Sequence, residues 1–320
     1  MVLSRKQIMS AAAVAVMTLV GCGSADGSDT GGAPDLVATT SVWADITSQV
    51  ACGEQVASVI PSGADPHTYE PSLRDRQLLE QAELVVTNGT ALEAGMDELL
   101  AAADANVVEI APHVDLIIPD DHDNEAHDDE AHDDDDDKAH DDGHGHAEGG
   151  DPHFWLDPTR VAGALDVIAT AMADRDPATI RECVDAYRDE LLALDVELAD
   201  QLDEVPADRR LLVTNHESLT YFADRYDFDV LGTVLPGTST LAETNPAQLE
   251  QLAELMRQRN VTAIFVEATE ADAEAQALAD RIGATVVPIL TASLATEGPA
   301  STYVGMLRAN ATAIAEALNP

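Results

Sequence analysis

The sequence predicts an α/β protein of two lobes, each a mainly parallel sheet flanked by helices, joined by a long backbone helix. Three patterns carry this. Short β-branched runs alternate with helical stretches through residues 35–110, as parallel strands and their crossovers do. A second series of the same kind fills residues 206–318. Between them lies a stretch whose apolar residues (Val184, Tyr187, Leu191, Leu194, Leu198, Leu202) form one stripe at helical spacing.

Taken in order, Leu36–Ser41, Gln55–Ile60, Glu83–Thr87 and Asn106–Ile110 are the expected strands of the first half, with helices between them. Ser72 before Leu-Arg-Asp has N-cap character and opens one of these helices. Pro158–Asp174 and Pro177–Glu204 read as the connecting helices. The second half is expected to hold strands Arg210–Thr214, Asp229–Val234, Thr262–Glu267 and Thr285–Ile289, with helices at 246–259, 270–282 and 301–318. The expected division is therefore an N-terminal lobe over 35–157, connecting helices over 158–205 and a C-terminal lobe over 206–320.

The first residues read as a targeting segment. Ser4-Arg5-Lys6 is a basic start, and Ile8 to Val20 is apolar but short for a membrane span. Leu19-Val20-Gly21-Cys22 resembles the lipobox of bacterial lipoproteins, which makes 1–21 a signal peptide and Cys22 the lipidated residue. Residues 22–34, rich in Gly, Ser and Asp, read as a flexible tether. The mature chain is then extracytoplasmic, anchored to the bacterial cell membrane by lipid. Beyond Cys22 there remain Cys52 and Cys183, which leaves two states open, one disulfide or two buried thiols. No CxxC spacing exists, so a cysteine zinc site is excluded.

Sixty acids against sixteen bases give a formal charge of -44, which excludes a nucleic-acid partner. Part of the excess is local. The run from Asp120 to Asp151 interleaves His122, His127, His132, His140, His144 and His146 with Asp and Glu. Its low hydrophobicity and self-repulsion predict disorder without metal, and His-rich tracts of this kind bind metal, so it reads as an auxiliary zinc-collecting loop. His113, just before this run, reads as structural or as part of it.

Three other histidines sit in ordered-looking settings: His67 in Asp-Pro-His-Thr-Tyr-Glu-Pro, His153 in Asp-Pro-His-Phe-Trp-Leu-Asp-Pro, and His216 in Leu-Leu-Val-Thr-Asn-His-Glu. Neutral imidazole is the commonest nitrogen ligand for zinc, and three can make most of a tetrahedral shell. Two follow Asp-Pro, where the carboxylate can orient the ring. His216 follows a strand, and ligands of open α/β sheets collect at strand carboxyl ends, so a cleft between the lobes would gather all three. No HExxH is present.

The segments PHTYEP, DPHFWLDP and VTNHESLTYFADRY resemble the metal-ligand segments of the zinc/manganese solute-binding proteins of bacterial ABC transporters (cluster A-I). The similarity spans residues 35–318 and includes the closing Tyr-Val-Gly-Met-Leu-Arg-Ala-Asn. It implies two lobes bridged by a rigid helix, metal at their interface, and His67, His153 and His216 as ligands. It also implies a membrane permease and a cytoplasmic ATPase as partners, with this chain acting as a monomer and catalysing no reaction. Many relatives carry an acidic fourth ligand two residues before the position of Leu294; here that residue is Ala292, which cannot ligate. Glu70 and Glu267 are the candidates for second shell or fourth ligand.

An imidazole-rich site favours Zn²⁺ as the transported ion, with Mn²⁺, which prefers oxygen, as the alternative. Three ligands plus water is also the pattern of a zinc-dependent hydrolase, with Glu217 or Glu70 as general base. Ligands drawn from both lobes and the delivery-type run weigh against it. Because ligation needs neutral imidazole, affinity is expected to fall as pH drops through roughly 6.5.

Overall fold

The computed structural model describes residues 35–90, 92–118, 150–172, 174–268 and 273–319. The signal peptide, Cys22, the tether and His122, His127, His132, His140, His144 and His146 lie outside the described residues.

The first sheet contains β1 (Leu36–Ala38), β2 (Ala57–Ser58), β3 (Leu84–Thr87) and β4 (Asn106–Glu109) in the order β2-β1-β3-β4, every pair parallel. Its helices are α1 (Ser41–Val50), α2 (Leu73–Gln81) and the short α3 (Asp97–Ala101). The second sheet contains β5 (Leu211–Thr214), β6 (Asp229–Thr233), β7 (Ala263–Glu267) and β8 (Thr285–Ile289) in the order β6-β5-β7-β8, again all parallel. The two halves thus repeat one topology. In each, the chain reverses its direction of winding beside the first strand, which is where an open sheet leaves a crevice at its carboxyl edge.

Two strands are shorter than expected by three residues or more, for local reasons. β1 stops at Ala38 because Thr40 turns out of the sheet to cap α1, its hydroxyl accepting from the Trp43 N–H. β2 lies at a sheet edge with β1 alone beside it. Val59 and Ile60 still donate to Ala38 and Thr39, and then Pro61, which has no N–H, ends the ladder.

Helix starts follow sequence chemistry closely. Ser72 and Asp75 form a reciprocal capping box on α2. The connecting helices α4 (Pro158–Ala171) and α5 (Pro177–Leu202) each begin with an aspartate cap followed by proline. Asn245-Pro246 does the same for α7 (Pro246–Arg259). The remaining helices of this half are α6 (Thr220–Tyr226), α8 (Ala273–Ile282) and α9 (Tyr303–Leu318).

At 26 residues, α5 is about 39 Å long by the usual helical rise. Val184, Tyr187, Leu191, Leu194, Leu198 and Leu202 are all buried along it, so the expected stripe is the packed face. One hydrophobic cluster runs without a break from the first sheet (Leu36, Val86) past this stripe to the second (Leu212, Phe265). Cys52, just after α1 and in the left-handed region (φ 60°), is joined to Cys183 of α5 in a disulfide with Cα atoms 5.5 Å apart. Among the described residues no helix is long and apolar enough to cross a membrane.

Candidate metal centre

His67 stands on the loop after β2, His153 just before the single 3₁₀ turn (Phe154–Leu156) that leads into α4, and His216 two residues past β5. The three come together between the sheets. Each offers one ligand atom, and these atoms all lie within 4.8 Å of one another. His153 Nε2 is 3.3 Å from His67 Nε2 and 3.3 Å from His216 Nε2. Two nitrogens bound to one tetrahedral zinc, each about 2.0–2.1 Å from it, stand about 3.3–3.4 Å apart. The spacing suits one small ion.

The two Asp-Pro-His segments use their aspartates differently. Asp151 Oδ1 accepts from the His153 N–H at 2.9 Å and again from its ring Nδ1–H at 2.9 Å. That proton sits on Nδ1, so Nε2 presents its lone pair to the other two rings. Asp65 instead holds the loop: its Oδ1 accepts from the His67 backbone N–H at 2.9 Å. Its Oδ2 takes Thr68 Oγ1 at 2.9 Å and, from the second half of the chain, Thr240 Oγ1 at 2.7 Å. His216 is set by β5 and its neighbours, with Thr214 Oγ1 donating to its carbonyl and the Asn215 N–H donating to Phe265 of β7.

Further bonds close the two halves over the centre. Trp155 Nε1 donates to the Thr291 carbonyl at 2.8 Å, and the Trp155 ring lies 5.3 Å from that of His153. Ser293 Oγ accepts from the Gly63 N–H at 2.7 Å, and Ser41 Oγ accepts from the Leu294 N–H at 3.1 Å. Gly63 itself has φ +83°, a conformation that suits glycine in this tight loop.

Burial, and then the neighbouring His153 ring, push the His67 pKa down to about 4. The same causes hold His216 well below the ordinary imidazole range. Both rings are therefore neutral at pH 7 and ready to ligate. This corrects the expectation that affinity falls through pH 6.5. With these two rings already neutral, the fall in zinc affinity between roughly pH 7.5 and 5.5 is predicted to be shallower than the roughly thousandfold that three ordinary histidines would cost. A titration series in that range checks it. For the metal-free fold the sign is the opposite of a salt-bridged histidine. Between pH 6.5 and about 4 the unfolded chain binds more protons at His67 than the folded one, so stability falls as pH falls through that window.

Neither proposed carboxylate joins the cluster. Glu70 is exposed. Glu267, at the end of β7, is buried, and its Oε2 accepts from the Thr291 N–H at 2.7 Å, the Thr291 hydroxyl and the Ala292 N–H at 2.9 Å. Burial raises its pKa. It braces the segment where the fourth ligand was expected, and Ala292 places only a methyl there. Glu217 is half-buried and lies outside the ligand cluster, and His113 is exposed in a 3₁₀ turn after β4. The bracing role of Glu267 and the half-to-half links of Trp155, Ser41, Ser293 and Thr240 left no pattern in the sequence, because each joins residues far apart in the chain.

Residues 36–317 match the family model described as zinc-uptake complex component A periplasmic. A manganese-binding lipoprotein of Halalkalibacterium halodurans is 26% identical over 317 residues, covering 95% of this chain and 96% of that protein. The zinc-binding protein TroA of Treponema pallidum is 28% identical over 306 residues, covering 90% of this chain and 89% of its own. The solved structure of the periplasmic zinc-binding protein TroA from Treponema pallidum matches with a TM-score of 0.75 at 24% identity, over 90% of this chain and all of that one, and so shares this fold.

Proposed function

Because the chain belongs to the zinc-uptake complex component A periplasmic family, we propose that it captures Zn²⁺ between its lobes and hands it to an ABC permease. The coarser role, substrate-binding protein of a metal ABC transporter, belongs to the family and its relatives, which are transport proteins rather than enzymes. The observation that carries the zinc reading is the convergence of three imidazole nitrogens, with both closest pairs 3.3 Å apart. His67, His153 and His216 are the ligands, and Asp151 and Asp65 support them. Among the described residues no carboxylate joins the cluster, and water is assigned the fourth place of a tetrahedral shell.

Zinc accepts such a nitrogen set, whereas manganese prefers oxygen. The manganese alternative is kept alive by relatives named for that ion. Competition titration of the metal-free protein discriminates: zinc binds, and an equal concentration of Mn²⁺ does not displace it.

Cys22 in its lipobox, and relatives named as lipoproteins, support a lipid-anchored, extracytoplasmic location. There the protein faces a permease driven by a cytoplasmic ATPase. The family description and the names of the relatives, which denote metal uptake and metal binding, favour transport over the hydrolase reading.

A further inference from the structure

We propose that Tyr221 is a positioning residue for the metal centre, acting from α6 on His153 through Asp151; this rests on the metal-binding reading above. Tyr221 is fully buried, five residues after His216. Its hydroxyl donates to the Asp151 carbonyl at 2.8 Å and accepts from the Ile117 N–H at 2.9 Å. The Asp151 N–H donates in turn to the Ile117 carbonyl at 2.9 Å. Two segments far apart in sequence are thus fastened to each other and to one phenol.

The phenol is itself held in place. The Arg160 guanidinium lies 4.8 Å above its ring centre, and the Phe154 ring meets it edge-on at 6.4 Å. Burial pushes the hydroxyl's pKa up to about 12, so it remains a donor. The bond at the Asp151 carbonyl fixes the residue whose carboxylate grips His153 at both its backbone N–H and its Nδ1. His153 Nε2 is the atom that both other imidazoles face at 3.3 Å. A shift of Asp151 therefore loosens two ligand pairs at once. Because Tyr221 is carried on the helix that follows His216, it also ties the placement of one ligand to that of another.

The test is Tyr221→Phe, which keeps the ring and deletes both hydroxyl bonds. Zinc affinity is expected to fall about tenfold or more, as supporting bonds of ligating histidines typically do. Cobalt(II) bound in place of zinc is expected to show a changed ligand-field spectrum, which a loss of stability alone would not produce. Tyr226→Phe, which removes a hydroxyl bonded to Asp195 at 3.3 Å on the same helix, is expected to leave both readouts at wild type. In a His153→Ala background, Tyr221→Phe should weaken the residual binding no further. Wild-type affinity and spectrum in Tyr221→Phe, an equal loss in Tyr226→Phe, or a full additive loss in the His153→Ala background overturns the proposal. If Tyr221→Phe fails to fold, 3-fluorotyrosine at position 221, which keeps the ring and both hydroxyl bonds but makes the hydroxyl a stronger donor to the Asp151 carbonyl, carries the same reading: an altered cobalt(II) spectrum supports it, and a wild-type spectrum overturns it. A wild-type protein that binds no zinc would instead overturn the functional reading.

Discussion

His216→Ala, made in a chain lacking residues 119–149, is expected to weaken zinc binding by two to four orders of magnitude. The histidine-rich run is removed because its imidazoles would mask the loss. The magnitude comes from sharing the affinity of a well-made zinc site among its ligands. Apparent binding energies of about 10–16 kcal/mol spread over three imidazoles put roughly 3–5 kcal/mol on each, or about 10²–10⁴ in affinity. His216 and His153 are both fully buried. His153→Ala should fall at the upper end, because His153 Nε2 is shared by both 3.3 Å pairs and its removal also leaves Asp151 without its ring partner. Equilibrium titration with a chelator competitor reads the loss. Affinity within threefold of the parent would show that His216 is no ligand.

Zinc is expected to outcompete manganese by roughly a thousandfold or more, in line with nitrogen donors and the general order of divalent affinities. The structural reason is the chemistry of one position. Ala292 carries no ligating atom, and the neighbouring Glu267 has committed Oε2 to the Thr291 and Ala292 peptide groups. Ala292→Asp is accordingly expected to narrow the gap by strengthening manganese binding more than zinc binding. Comparable affinities for the two ions in the unaltered protein would mean that an oxygen ligand enters the shell after all. The same ordering leaves copper and nickel as competitors in a test tube, so the comparison is made one metal at a time.

Much of this was legible because local chemistry and tertiary structure agree. Asp157-Pro158, Asp176-Pro177 and Asn245-Pro246 announce helix starts by short-range rules, and the structure places caps there. The stripe from Val184 to Leu202 needed only helical spacing. The three histidines stood out because two follow Asp-Pro and the third follows an apolar strand. Boundaries set by neighbours were less legible: β1 gives up three residues to the Thr40 cap, and β2 frays at an edge. The seven-residue α6 is too short to reveal its period, so Tyr221 could not be placed. The downward pKa shift of His67 was hidden for a similar reason, since burial and the nearness of another imidazole exist only once the chain has folded.

The central claim is that three imidazoles from distant parts of the chain hold one zinc ion. X-ray absorption on the zinc-loaded protein lacking residues 119–149 tests it most directly. A first shell of three nitrogen scatterers and one oxygen, at about 2.0–2.1 Å and with imidazole outer-shell features, is the result expected. A shell with one imidazole or none would contradict it.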